Sequence, residues 1–471
     1  MGSLFSALNT AAGALNALQQ AMDATQSNVA NANSAGYAKQ TPVMESIDTA
    51  ANGLSGGVME QTQDSRSAFA DTAVQQQQSL LGQFQQLQTS LAPLQSIMDV
   101  SSSSVIPSAL NQLFQSFSQW STQPSNATNQ TDVINAAQST AEAFQQVAAQ
   151  LSSASALTTQ DVQSTVAQIN QDAAQIQNLN ASIAAGNSNA GLSAQMESTL
   201  ENLSSLADIQ TMPGVGGMVT VLLGGQTPLV IGTQVNALQV GNDVANAVNG
   251  PPTATILDSN GNDVTAQVTS GSLAGLLSVR NNLIPSLIGG GQQAGGLNTL
   301  AKSLADTVNA LLEQGSTTVV PPFQSGTALF SYNATSPSGI AASLQVTAGF
   351  QPGQLAATDP GPPTVSNGIA LQLAGLDTDP AGQINGMSFS EYFGSLAASV
   401  GNAVDSANTS AAAQAQSVSQ AKNLQQQLSG VSLDEEAVRL VQLQSSYQAA
   451  SKFVTVVDDI SQSLMNMIPN A

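Results

Sequence analysis

A seam of apolar residues spaced in steps of four and three opens the chain, and a similar one closes it. Near the start run Leu4, Leu8, Ala11, Leu15, Leu18, Met22, Thr25 and Val29; near the end run Leu440, Leu443, Tyr447, Ala450, Val454, Val457, Leu464 and Met467. That spacing puts each set on one narrow face of a helix, the pattern of helix pairing and not of burial in a globular core. Ser432 with Glu435 three residues later predicts a capping box at the start of the closing helix, and Asp434 and Glu436 favour the same N-terminus. An isolated helix with so thin an apolar stripe is marginal in water. Each end therefore waits for a partner, either the other end or a neighbouring chain.

The composition narrows the function classes. A length of 471 residues allows about three domains. Only 8% of residues are charged and 4% aromatic, and the net charge is −22 with seven Lys and Arg. Phosphate binding needs clustered basic residues, which argues against nucleic acid, and no polybasic run exists for an anionic membrane. No stretch of about 18 apolar residues predicts a membrane-spanning helix, so no membrane insertion is expected. The start lacks a positively charged region followed by a compact apolar core, so an ordinary signal peptide is not expected. Absent cysteine fits a reducing compartment or export in an unfolded state.

Neither His nor Cys is present, so there is no Ser–His or Cys–His nucleophilic pair and no zinc site of nitrogen or sulfur ligands. The clusters "GVGG" and "GGGQQAGG" lack the Lys-Ser/Thr that follows in a phosphate loop. "DSNGND" opens like a calcium loop, but Asp263 stands where the loop needs Gly and Thr269 where it needs Glu, so a hairpin turn is the favoured reading. Asp458-Asp459 reads as a solvated face. No cofactor or metal is expected.

Between the two ends the helical period recurs. Leu80, Phe84, Leu87, Leu91, Leu94 and Met98 form one stripe, with Pro93 placed to kink or end it. Ile106 to Phe117, Ile134 to Leu151, Val162 to Ile183 and Leu192 to Leu203 form others, with Gly186 a stop. "MVTVLL", "TPLVIG" and "NALQVG" read as strands, and "TATILDSNGNDVTAQV" as a hairpin around Asn260-Gly261. The expected fold is mainly α with β-rich insertions. Residues 1–60 and 429–471 form a terminal coiled coil; 61–210, 271–315 and 386–428 a central helical bundle; 211–270 a β-rich sub-domain; 316–385 a β-rich outer domain.

The opening stretch "LFSALNTAAGALNALQQAMDATQSNVANANSAGYAKQT" resembles the N-terminal motif of bacterial flagellar axial proteins, matching at Asn28, Asn31, Asn33, Gly36, Tyr37 and Gln40. The closing "SGVSLDEEA" is similar to the hook-associated protein 1 family, and internal stretches such as "SGSLAGLLSVRNNLIPSLIGG" extend the likeness along nearly the whole chain, most weakly across 316–385. Lys39 departs from the Arg common at its position, which keeps the charge but removes bidentate pairing. The resemblance implies a structural subunit, not a catalyst, of the junction between hook and filament, extracellular, exported by the flagellar type III system without a cleaved signal. It implies self-assembly into a helical or ring polymer, contacts with hook protein and a second junction protein, and an export chaperone at the C-terminal helix.

The assembly interface expected on this basis comprises the heptad residues of both ends with Asn28, Asn31, Gly36, Tyr37 and Lys39, the last two offered to neighbouring subunits. Gly36 would supply a backbone angle other residues resist. Another axial protein, hook or distal rod, is the nearest alternative. A secreted adhesin would explain the acidic, cysteine-free, polar chain but does not require the matching heptads; a glycosidase-like enzyme, the third reading, needs two convergent carboxylates in a cleft.

Overall fold

The structure is a computed structural model describing all residues except 1, 48–56, 102, 188, 245–246, 248–250, 336–338, 379–383 and 467–471. Helix α1 (Gly2–Asn31) leads into a hairpin of β1 (Gln40–Ile47) and β2 (Gly57–Asp64). Four helices follow: α2 (Ala68–Ile97), α3 (Val105–Thr122), α4 (Ala127–Ala184) and α5 (Ala190–Leu206). Strands β3 (Ile209–Pro213), β4 (Val219–Leu223), β5 (Thr227–Ile231) and β6 (Gln234–Val235) make one antiparallel sheet in that order. β7 (Gln239–Asp243) pairs with β8 (Thr253–Leu257).

Helices then resume with α6 (Gly271–Ser278), α7 (Ile284–Ile288) and α8 (Gly296–Gln314), the first two joined by a π turn. Short pieces follow: β9 (Phe330–Ser331), α9 (Ile340–Ser343), β10 (Gln345–Val346) and α10 (Gly368–Gly375). Two long helices, α11 (Phe389–Ser429) and α12 (Leu433–Asn466), close the chain.

Local chemistry starts the long helices. Asn126 accepts from the amides of Thr128 and Asn129 to cap α4, and Asn189 caps α5 through Leu192. Ser388 and Glu391 form a reciprocal capping box on α11. The two stripes Ile134–Leu151 and Val162–Ile183 lie on the single helix α4, whose 58 residues contain neither Gly nor Pro to break it. Gly186, at φ +83°, ends it as expected. Pro93 does not stop α2, which continues one turn to Ile97.

The body has two cores, and α4 belongs to both. Trp120, Phe117, Phe144 and Leu110 centre the first, where the rings of Phe114 and Phe389 stack at 6.3 Å. The second packs Val162, Ile169 and Ile176 against α5, α6 and the inner faces of the sheets. The sheets are fastened to the helices by one repeated device, an asparagine side chain bonding both the N–H and the C=O of a single residue. Asn180 holds Val219 this way and also donates to Gly232; Asn170 holds Leu238, Asn281 holds Ala254 and Asn309 holds Phe330.

Three expectations differ from the fold. Residues 40–47 and 57–64 pair as antiparallel strands, where a terminal coiled coil over 1–60 is expected; 48–56 lie outside the described residues. The segment around Asn260-Gly261 is a turn held by Asp258, which accepts from the Asn260 and Asn262 amides at 2.8 Å; it closes with one bridge, and β8 pairs with β7 instead. The Asn262 side-chain amide, which donates to Asp258 Oδ2 at 2.9 Å, and those backbone bonds hold the Asp258 carboxyl below its usual range and occupy it with its own turn.

Over 316–385 the described residues contain only the two-residue strands β9 and β10, short helices and isolated bridges, not a β-rich unit. Their apolar residues, among them Leu329, Phe330, Leu344 and Leu373, enter the first core. The Pro and Gly that suggested strand punctuation serve irregular chain packed on helices.

Candidate assembly site at the neck

The chain crosses twice between the terminal helix pair and the body: from the hairpin that follows α1 into α2, and from α11 into α12. Both crossings meet the α1–β1 connection at one place. The Lys39 N–H donates to the Ser429 carbonyl at 2.8 Å, the Ser67 N–H donates to Ser429 Oγ at 3.0 Å, and the Ser65 N–H donates to the Lys39 carbonyl at 2.9 Å.

Asn28 lies at the centre, wholly buried in the last turns of α1. Its Nδ2 donates to the Gln40 carbonyl at 2.9 Å and to Glu436 Oε2 at 3.0 Å. Its Oδ1 accepts from the Gln40 N–H at 2.8 Å and the Tyr37 hydroxyl at 3.0 Å. The carboxamide thus meets its full capacity of donors and acceptors, and it repeats on Gln40 the asparagine device of the sheets. Asn31 secures the helix end by donating to the Ser27 carbonyl at 3.0 Å.

Lys39 faces the N-terminus of α12. Its Nζ stands 3.0 Å from Glu435 Oε2 and 3.2 Å from Glu436 Oε1, the latter side chain being buried. Burial pulls the ammonium down, but the bonds to Glu435 and Glu436 outweigh it and hold the group above its usual range. Burial likewise pushes the Tyr37 hydroxyl up. The Ser432 hydroxyl accepts from the Glu435 amide at 3.4 Å, while the Glu435 carboxylate bonds Lys39 instead of closing the capping box.

Gly36 adopts φ +69°, a left-handed conformation that costs a side-chain-bearing residue about 1–2 kcal/mol. A Cβ there would also lie 2.4 Å from the Ala194 carbonyl oxygen on α5. The residue is glycine for two separate reasons, a turn and a close approach.

The predicted heptad residues divide. On α12, Leu440, Leu443, Tyr447 and Val454 are half-buried and Val457 is buried, all on the face turned to α1. On α1, Leu8, Leu15, Leu18 and Met22 are half-buried, while Ala11, Ala17, Ala21 and Thr25 are buried. Leu4 and Leu464 have side chains outside the described residues, and Met467 lies outside them altogether. Val29 is exposed. Within one chain the partners of Tyr37 and Lys39 are intramolecular: Asn28, Glu435 and Glu436.

Sequence reasoning missed Arg66 and Ser429, and assigned Glu436 only to the helix end. Arg66 could have been noticed as one of seven basic residues, next to a helix start. Nothing local marks Ser429. The neck has no reacting pair; it is built to hold three segments at fixed angles.

Comparison with known proteins agrees with this architecture. Residues 91–330 match the family described as "Flagellar hook-associated protein FlgK helical domain". Residues 8–37 match "Flagella basal body rod protein", and 424–467 match "Flagellar basal body rod FlgEFG protein C-terminal". The chain is 25% identical to "Flagellar hook-associated protein 1" of Bacillus subtilis (strain 168), over 99% of both chains. It is 36% identical over 80 residues to the protein of the same name from Escherichia coli (strain K12), covering 17% of this chain and 15% of that one.

The fold resembles that in "The structure of the flagellar hook junction protein FlgK from Burkholderia pseudomallei", with a TM-score of 0.65 and 16% identity, over 76% of this chain and all of that one. With the family's helical domain matched over about half its length, the chain belongs to the FlgK family of flagellar hook-associated proteins.

Proposed function

We propose that the chain is a structural subunit of the junction between flagellar hook and filament. One observation carries the assembly part of this reading. Helix α12 has two apolar faces, and the fold covers only one. Val438 and Val441, and further along Phe453, Val456 and Ile460, form two patches on the second face, each residue about half exposed or more. Apolar patches on one face of a long exposed helix mark a surface for association, and a neighbouring copy of the α1–α12 pair is a partner of matching kind. Packed side by side around an axis, such pairs make an inner tube, with the bodies outside.

The domain plan follows: residues 1–60 and 429–471 form the tube, the helical bundle the next shell, and 211–270 and 316–385 reach outward. Hook protein, a second junction protein and an export chaperone at α12 are the partners. Export proceeds without a cleaved signal, and assembly orders the ends against an existing polymer, so ordering is coupled to binding.

Deleting the coding sequence and examining cells by electron microscopy tests the reading. Hooks without filaments, with flagellin in the medium, are expected. Filaments of normal length and number would overturn it.

A further inference from the structure

A second cluster sits beside the assembly motif, between the loop of Gly36 and the body. The Arg66 Nη2 donates to the Gly36 carbonyl at 2.7 Å. Its Nη1 lies 3.6 Å from Glu197 Oε2 and 3.7 Å from Asp71 Oδ2, and its Nε 3.7 Å from Asp64 Oδ2. Glu197, on α5, is 4% exposed and accepts from Gln75 Nε2 at 3.2 Å. Asp71 accepts from Gln425 of α11 at 2.8 Å, and Glu201 pairs with Lys422 of α11 at 3.2 Å.

Four carboxyls, Asp64, Asp71, Glu197 and Glu201, thus share two cations, Arg66 and Lys422. Two of the carboxyls, Asp71 and Glu201, line a cavity of about 280 Å³ with Ser34, Gly36, Arg66 and Lys422. The other elements against α5 bring little charge. Helix α6 has no titratable side chain, and α4 beyond Val162 has only Asp172, which is bonded to its own Gln168.

With every carboxyl ionised, the site holds excess negative charge away from water, and removing one charge favours the docked arrangement. Glu197 is the deepest of the four. The Gly36 loop packs on Ala194 and Ser198, on either side of Glu197 along α5, and the ionised form would be relieved if that loop lifted and let water in. We propose that Glu197 is a proton-operated latch: while its carboxyl is neutral, Arg66 holds the assembly motif on the body, and ionisation favours a released loop.

Burial, reinforced by Asp71 and opposed by Arg66, raises the Glu197 carboxyl from 4.5 to about 7. The docked state therefore binds the extra proton between those values. Docking weakens as pH rises from about 4.5 to about 7 and is constant above that. The latch does not depend on the junction reading, because it operates in the free subunit.

Amide hydrogen exchange of residues 34–39 in the full chain tests it, corrected for intrinsic exchange rates and referenced to α3. From pH 5.5 to 7.5 the wild-type opening constant should rise roughly twentyfold, while Glu197→Gln stays flat within about twofold. A flat wild-type curve, or the same slope in Glu197→Gln, would overturn the latch. Should the variant fail to fold, wild type alone decides. The chain has neither His nor Cys, so a plateau reached near pH 7 supports Glu197, and a rise that continues past pH 8 refutes it.

Discussion

Asn28 has both amide hydrogens donated and two bonds accepted, so replacing it strands other groups. In Asn28→Ala the Gln40 peptide and the buried Glu436 carboxylate each lose a partner, at a cost of about 1–3 kcal/mol per stranded group. Faster amide exchange at Gln40 is expected, with the melting of the body little changed. Gly36→Ala carries two penalties, the left-handed angle and the approach to Ala194. Protein of normal abundance and reduced swimming in soft agar are expected; full motility would mean the loop is free to move off α5. Asn28, Gly36, Tyr37 and Lys39 could be singled out from the sequence because the motif is local. Glu436, Ser429 and Arg66 could not be joined to them. Their proximity is a product of the whole chain path, with Asn28 and Glu436 separated by 408 positions.

Helices were the most legible elements, because a period of 3.6 is written in adjacent residues. The covered face of α12 matches the predicted stripe at Leu440, Leu443, Tyr447, Ala450, Val454 and Val457. Its second face was not read, since two apolar faces on one helix blur each other. Phe453→Asp should leave the body's cooperative unfolding unchanged and abolish complementation of a deletion strain; normal filaments would assign that face no role in packing. Asparagines such as Asn170, Asn180 and Asn281 carry no local signal in the sequence, and their clasps appear only once a strand lies alongside. Asn180→Ala removes the bonds to Val219 and Gly232. The β3–β6 sheet should exchange its amides faster in that variant, with α3 protected as before.

At the scale of the whole molecule, the two cores are built without the terminal helices: among the described residues, neither core includes one from α1 or α12. A chain trimmed to 66–430 should still melt cooperatively with Trp120 buried, which the emission of this single tryptophan reports. Loss of that transition would mean the terminal pair supports the cores. The nested plan was legible from the matching ends. The setting of residues 316–385 was not, because their placement depends on apolar surface supplied by distant helices and on single clasps such as Asn309 to Phe330.

The neck also has a mechanical meaning. Two covalent strands join the terminal pair to the body, and two attachments alone define an axis about which one part can swivel on another. The crosswise bonds at Lys39, Ser67 and Ser429 tie those strands to each other and to the end of α1, and so resist the swivel. Torque applied to the terminal pair is therefore borne by hydrogen bonds as well as by the covalent chain.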